Sequence, residues 1–234
     1  MRKRTTHTTG TRRGPRALAA ATAACAAAVL VLAGCGSSDD GSKDSAAEGP
    51  AASVEPQKKG GVVLDRPFEK PDLTLTDTKG EEYDLIEKTK GKPVLLYFGY
   101  THCPDVCPLT MSNIAVAKSK LPKDEQKKLQ VVFVTSDPER DTPKELGRWL
   151  RAQDPSFTGL TGDFDTIQAG ARGLGINIDP AYKKKNGDIV STHGAQVVAF
   201  SPKDDKAHVL YTEGNTSPEI LEKELPKIIK GQNP

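Results

Sequence analysis

The sequence predicts an α/β domain with a central mixed sheet flanked by helices, and two sets of apolar segments carry this prediction. Pro93–Tyr100 and Gln130–Thr135 are near-continuous apolar runs, which are typical of strands covered on both faces. A helical pattern follows each run, so strand and helix alternate along this part of the chain. Ala195–Phe200 and His208–Thr212 flank a polar, proline-containing turn, and this arrangement predicts a hairpin of two further strands.

The first element expected is a β-hairpin at the N-terminal edge of the sheet. Leu73–Thr76 alternates apolar and polar residues, as a strand with one exposed face does. Asp77–Gly80 has the composition of a turn and leads the chain toward Tyr83 and Leu85.

Two helices are expected around the second apolar run. The first helix follows Pro93–Tyr100 and ends before Pro122, because proline cannot continue it. Its apolar residues recur at helical spacing: Met111, Ile114, Ala117 and Leu121. The second helix begins at Thr142-Pro143-Lys144-Glu145, a capping box with proline at the first helical position.

Two more helices are expected in the C-terminal half. One covers Phe164–Leu174, and the last begins at Ser217-Pro218-Glu219. Pro226 lies inside this last helix and should kink or split it. The predicted order is strand, helix, strand, helix, followed by an antiparallel hairpin and a final helix. This order is the thioredoxin-like arrangement.

The N-terminal residues predict an export signal. The first sixteen residues carry only basic charges, and Ala17–Leu32 is an apolar run that ends at Leu32-Ala33-Gly34-Cys35. This tetrad resembles a bacterial lipobox, in which the cysteine receives a lipid and becomes the mature N-terminus. We therefore expect residues 1–34 to be a lipoprotein signal peptide, and the protein to be anchored through Cys35 to the outer face of the cell membrane. A simple secretory signal and an uncleaved membrane anchor are the alternatives.

Residues 35–60 are expected to be the lipidated cysteine followed by a disordered tether. After Cys35, Val54 is the only large apolar side chain in this segment, so it cannot bury enough surface to offset its chain entropy. Residues 61–231 are then the folded domain. Without residues 1–34 the chain has 27 basic residues against 31 acidic ones, because the signal holds six of the 33 Lys and Arg residues. A mildly acidic exported domain is not expected to bind nucleic acid.

Two of the four cysteines carry the chemistry. Cys25 lies in the signal and Cys35 is the lipidation site, which leaves Cys103 and Cys107. A lone pair four residues apart, in a protein that works outside the reducing cytosol, indicates a redox or metal site. The pair lies where a buried strand leads into a helix, and a helix N-terminus should make both thiols ionise more readily.

The spacing of the two cysteines favours a metal. Helical neighbours four residues apart hold their Cβ atoms about 5–6 Å apart, whereas a relaxed disulfide needs about 3.5–4.5 Å. A dithiol redox enzyme typically uses the tighter Cys-x-x-Cys spacing. A strained and easily reduced disulfide remains an alternative.

A third ligand is available from a histidine. His193 lies in the loop before Ala195–Phe200, and in a thioredoxin-like fold that loop approaches the turn that carries the cysteines. Two thiolates and one imidazole suit copper, whereas a structural zinc site normally takes four protein ligands. His102 is the rival ligand, but adjacent residues on an extended chain point to opposite sides. His208 and Lys183–Lys185 are interpreted as surface residues.

Two motifs and the isolated His193 make the chain resemble the Sco/SenC family. The motifs are Gly99-Tyr100-Thr101-His102-Cys103-Pro104-Asp105-Val106-Cys107-Pro108 and Thr135-Ser136-Asp137-Pro138-Glu139-Arg140-Asp141-Thr142. Members of this family are thioredoxin-like copper-binding proteins required for assembly of cytochrome c oxidase. The resemblance implies that Cys103, Cys107 and His193 bind Cu(I) or Cu(II). Family members usually have an acidic residue before the histidine, where this chain has Thr192.

The resemblance implies a copper chaperone rather than a conventional enzyme. Its expected partners are the copper-bearing subunit of cytochrome c oxidase, other copper carriers or thiol reductants, and the membrane through the lipid. The alternative is a thiol–disulfide oxidoreductase that keeps the oxidase cysteines reduced; a peroxidase is a third reading. Asp137 is expected either to orient a metal ligand or influence the cysteine pair without binding the metal itself, or to stabilise a turn through its Asp-Pro sequence.

Overall fold

Residues 59–234 are described by a computed structural model. The expected signal peptide, the lipidation site Cys35 and the tether up to residue 58 lie outside the described residues. Within residues 59–234, no helix combines the length and the apolar character needed to cross a membrane.

The described residues form strands and helices that alternate mainly between the first and the fifth helix. The strands are β1 Val62–Phe68, β2 Thr74–Asp77, β3 Glu82–Asp84, β4 Val94–Gly99, β5 Gln130–Thr135, β6 Thr158–Thr161, β7 Tyr182–Lys183, β8 Ile189–Val190, β9 Val197–Phe200 and β10 Ala207–Tyr211. The helices are α1 Leu85–Thr89, α2 Val106–Lys120, α3 Lys123–Lys128, α4 Pro143–Gln153, α5 Phe164–Gly173 and α6 Pro218–Ile229.

Eight of these strands form one mixed sheet, as predicted. Its order is β1-β10-β9-β4-β5-β6-β2-β3, with β4, β5 and β6 parallel in the middle. The remaining neighbours pair antiparallel. The predicted hairpin is confirmed as β2 and β3 at one edge, where Leu75 lies opposite Tyr83. Strands β7 and β8 form a separate two-stranded hairpin.

Helices cover both faces of the sheet, which gives the thioredoxin-like layering. One hydrophobic core contains residues of α2, α4 and α6, such as Met111 and Leu146. The other contains residues of α1 and α5, such as Leu85 and Ile167. All six residues of β4 are buried between the layers. Because burying a large apolar side chain contributes about 1.5–3 kcal/mol, β4 is firmly held and fixes where the chain leaves its end.

The elements predicted from long apolar patterns are confirmed. Strand β5 has the predicted bounds, and α2 ends before Pro122. Thr142 caps α4 as expected, because its hydroxyl accepts a hydrogen bond from the backbone N–H of Glu145 at 3.4 Å. Helix α6 continues through Pro226, so this proline does not split it.

The central strand β6 was missed by the sequence patterns, and tight packing explains why. Leu160 is the only large apolar residue in β6. A Cβ atom on Gly159 would lie 2.4 Å from Leu150 Cδ1 and 2.9 Å from Leu146 Cγ. Helix α4 therefore packs directly on the strand backbone, and the small residue that allows this contact hides the apolar pattern.

Candidate metal centre

The two cysteines lie on the segment that connects β4 to α2. The strand ends at Gly99 and the helix begins at Val106, so Cys103 precedes the helix and Cys107 lies in its first turn. Both are free thiols and both are buried, with exposed fractions of 7% for Cys103 and 0% for Cys107. The backbone N–H of Cys107 points at Cys103 Sγ, 3.5 Å away. The helical estimate of their separation therefore does not apply, since only one of them is helical.

Close packing surrounds the Cys107 thiol. A Cβ atom on Gly99 would lie 2.9 Å from Cys107 Sγ, so only glycine allows the sulfur this close to the end of β4. The buried Tyr97 hydroxyl donates to the same sulfur at 3.5 Å. The sequence motif did not reveal this contact, because Tyr97 lies inside the strand.

Burial raises the pKa of Cys107 to about 12, and this outweighs the hydrogen bonds from Tyr97 and the backbone. The expectation that a helix N-terminus would make both thiols ionise readily is therefore wrong for Cys107. A helix dipole contributes about 0.3–1 kcal/mol, which is less than one pKa unit, whereas full burial can shift a pKa by about 3–5 units. A metal that binds Cys107 must displace its proton.

The loop that carries His193 is hydrogen-bonded to the end of β4, as expected for a thioredoxin-like fold. The N–H of Gly194 donates to the carbonyl of Phe98 at 3.0 Å. Ser136, which follows β5, donates from its hydroxyl to the carbonyl of Thr192 at 2.5 Å and from its N–H to the carbonyl of Gly99 at 2.6 Å. The end of β4 thus holds both the cysteine segment and the histidine loop.

The His193 ring lies beside Tyr100. The two ring centroids are 6.0 Å apart, and His193 Nδ1 lies 3.2 Å from the carbonyl oxygen of Gly194. Burial and the neighbouring Cys103 raise the pKa of Tyr100 to about 12. Within residues 59–234, no three or more His, Cys, Asp or Glu side chains are grouped closely enough to hold a metal ion. The structure pairs the two cysteines, and the His193 ring contacts Tyr100 at the same strand end.

Asp137 connects the turn after β5 to the histidine loop. Its buried carboxylate accepts hydrogen bonds from Ser191 Oγ at 2.8 Å and from Arg140 Nε at 2.5 Å. Its backbone carbonyl also accepts from the N–H groups of Arg140 and Asp141. Within the turn, Asp137 thus makes both side-chain and backbone hydrogen bonds. Because Ser191 lies two residues before His193, the same carboxylate also helps to hold the histidine loop.

Asp141 holds the cysteine segment in place through hydrogen bonds, as Asp137 does for the histidine loop. Asp141 was not identified as a site residue from the sequence. Its fully buried carboxylate accepts from the Thr101 N–H at 2.9 Å, the Thr101 hydroxyl at 2.5 Å and the Thr135 hydroxyl at 2.6 Å. These bonds tie the residues before Cys103 to the end of β5. The sequence feature that could have pointed to Asp141 is its position, as an acidic residue between the buried strand β5 and Thr142, which caps α4.

Among the described residues, His102, His208 and the lysine run Lys183–Lys185 lie at least partly exposed at the surface. The His102 side chain is half exposed and approaches Thr101 and Asp141. His208 pairs with Asp204 at 2.8 Å in the β9–β10 hairpin. Lys183–Lys185 are exposed on the β7–β8 hairpin.

Comparison with known proteins gives consistent matches. The family model described as SCO1/SenC matches residues 64–230. A putative copper-binding protein of Stutzerimonas stutzeri is 34% identical over 141 residues, which cover 60% of this chain and 68% of that protein. Protein SCO2, mitochondrial, of Saccharomyces cerevisiae is 33% identical over 145 residues, covering 62% of this chain. The match spans 46% of that mitochondrial protein, so the chain corresponds to about half its length.

Solved structures show the same similarity. The structure of Bradyrhizobium japonicum ScoI with copper bound superposes with a TM-score of 0.59 at 30% identity, covering 70% of this chain and 98% of that one. The apo Sco1 protein from Thermus thermophilus has a TM-score of 0.58 at 31% identity, with coverage of 73% and 92%.

Proposed function

Because the chain belongs to the SCO1/SenC family, we propose that it is an exported, lipid-anchored copper chaperone that supports assembly of the copper centre of cytochrome c oxidase. Copper is the cargo, and Cys103, Cys107 and His193 are its ligands. The observation that carries this proposal is the pair of buried thiols at the end of β4, with the histidine loop hydrogen-bonded to the same strand end.

The chemistry of the donor set supports copper. Thiolates are soft ligands that select Cu(I), and imidazole also binds copper well. Ligand exchange then moves the ion to the acceptor, as each bond from copper to this chain is replaced by a bond to a ligand of the acceptor. Within residues 59–234, Cys103, Cys107 and His193 are not grouped closely enough to hold an ion, so coordination requires the imidazole and the sulfurs to approach one another.

Metal analysis of single variants tests the ligand set. We expect about one copper per chain in the unaltered protein, with a thiolate-to-copper charge-transfer band. Cys103→Ser and Cys107→Ser should abolish the band, and His193→Ala should weaken binding and shift it. His208→Ala is the matched control, because this histidine pairs with Asp204 in the hairpin. Stoichiometry and spectrum unchanged in Cys103→Ser and His193→Ala would refute the proposal.

A second candidate function is thiol–disulfide exchange with the oxidase cysteines. It is favoured by the contact between Cys103 Sγ and the N–H of Cys107, and by the greater exposure of Cys103. The two thiols would become a disulfide while the disulfide of the partner becomes two thiols, so electrons and protons balance. This reaction does not use His193. Normal oxidase assembly in a His193→Ala strain would therefore favour the reductase over the chaperone.

A further inference from the structure

A groove lies at the N-terminal part of α2, and Asp105, the N-cap residue of this helix, belongs to its lining. Helix α2 forms one wall, and the loop of residues 213–217 between β10 and α6 forms the other. Its volume is about 250 Å³. The residues that matter for its chemistry are Asp105, Val106, Leu109, Asn113, Glu213 and Gly214. Asp105 and Val106, which line the groove, stand between the two cysteines in sequence, so the groove lies next to the segment that carries the thiols.

Leu109 is an exposed apolar side chain that lines the groove. It is 57% exposed, more than any other large apolar side chain among residues 59–234. Single exposed apolar residues are common and need no explanation. Leu109 differs because it lies three residues after Val106 on the same helix face, within a concave surface, and two residues after Cys107.

The charge of the groove is acidic. Asp105 and Glu213 lie at its two walls, and no Lys, Arg or His is among the residues that line it. The Asp105 side chain makes no capping hydrogen bond to α2, although Asp105 is the N-cap residue. Glu213 is exposed on the opposite loop. Two carboxylates on either side of an apolar side chain complement a segment that carries an apolar side chain between basic residues.

We propose that this groove docks an extended segment of the copper-accepting protein, which presents an apolar side chain over Leu109 and basic residues to Asp105 and Glu213. The inference rests on the proposed function and adds the surface that orients the acceptor. Cys103 is only 7% exposed, so an acceptor needs a guided approach to reach it. A segment seated beside Asp105 brings the neighbouring residues of the acceptor next to Cys103.

Binding of the acceptor and the copper content of the chain can be measured separately on the full-length chain. The probe is the soluble copper-bearing domain of the oxidase subunit, metal-free and with its cysteines reduced. We expect Leu109→Ser to raise its Kd about 10-fold, as loss of a buried apolar anchor does. Glu213→Lys should slow association and remove much of its dependence on ionic strength, because it reverses one charge of the groove. Copper per chain should stay unchanged in both variants.

Val116→Ser is the matched control, since Val116 is an apolar residue of the same helix, 42% exposed and outside the groove. Its Kd should stay within about twofold of the unaltered chain, as expected of a residue outside the interface. Failure of the unaltered chain to bind the probe, or an unchanged Kd in both groove variants, would overturn the inference. If the unaltered chain takes up no copper but binds the probe in a Leu109-dependent way, the proposed copper function fails and the groove assignment stands.

Discussion

The burial of Cys107 determines how the thiol pair takes up a metal. Its pKa is raised to about 12 by desolvation, so the thiol keeps its proton across the physiological range. Copper binding must then release this proton into solution. Cys103 is the more exposed of the two cysteines, at 7% against 0% for Cys107.

The apparent copper affinity should therefore increase with pH. A raised pKa means that the proton competes with the metal at every pH below about 12. Each proton displaced makes binding about tenfold tighter per pH unit. We expect a steady rise from about pH 6 to 9, with no plateau near the usual thiol pKa of about 8.5. Competition with a copper chelator of known pH dependence measures it.

Cys107→Ser provides the control for this pH dependence. Replacing the buried thiol should remove one released proton and reduce the slope by about one decade per pH unit, alongside weaker binding. A copper affinity that does not change with pH in the unaltered protein would show that Cys107 does not bind as a thiolate.

At the level of single residues, the sequence singled out the cysteine pair but not its surroundings. The motif around Cys103 and Cys107 is local and is visible in the sequence, although the helical separation assumed for the pair does not apply, because only Cys107 is helical. Tyr97 reaches Cys107 because α2 packs against β4, and Asp141 reaches Thr101 through the pairing of β4 with β5 and the turn that follows. Such contacts depend on tertiary structure, and no local pattern encodes them.

Among the elements, the turn after β5 has two buried carboxylates with different tasks. Asp137 bonds to Ser191 and so holds the histidine loop, whereas Asp141 bonds to Thr101 and so holds the cysteine segment. Both side chains are almost completely buried. Replacing either carboxylate removes charge-assisted hydrogen bonds that position one half of the site.

Asp137→Asn and Asp141→Asn are a matched pair of variants that test whether Asp137 holds the histidine loop and Asp141 the cysteine segment. Each should lower the free energy of unfolding by about 1.5–3 kcal/mol, because a buried charge-assisted hydrogen-bond set is weakened. We expect Asp137→Asn to perturb mainly the nitrogen ligand of bound copper, and Asp141→Asn mainly the rate of thiol alkylation. Urea denaturation, copper spectroscopy and alkylation kinetics measure these effects. Identical changes in both variants would contradict the assignment of the two carboxylates to different segments.

The elements also differ in how visible they are in the sequence. Strands β4 and β5 are continuous apolar runs because both their faces are covered. Strand β1 is mostly exposed at the sheet edge, and β6 uses glycine where α4 packs, so neither has a recognisable pattern. The hydrogen bonds of Thr192 to Ser136 after β5 and of Gly194 to Phe98 of β4 likewise form only in the assembled sheet.

For the whole molecule, the proposed ligands come from two segments far apart in the chain. Cys103 and Cys107 follow β4, and His193 precedes β9, about ninety residues later. A ligand that binds only the folded state stabilises it by an amount set by its free concentration relative to Kd. Copper should therefore act on the entire fold through a link between these two segments.

Thermal unfolding with the thiols kept reduced should detect this link. At free Cu(I) of about 100 times Kd, the stabilisation is about 2.7 kcal/mol, which raises Tm by about 5–10 °C for a chain of this size. At the same copper concentration, His193→Ala should show a smaller rise, because the second segment is no longer linked. Cys103→Ser should show almost none, and His208→Ala should behave like the unaltered chain, since its partner is Asp204. An equal rise in all four proteins would mean that copper binds elsewhere on the surface.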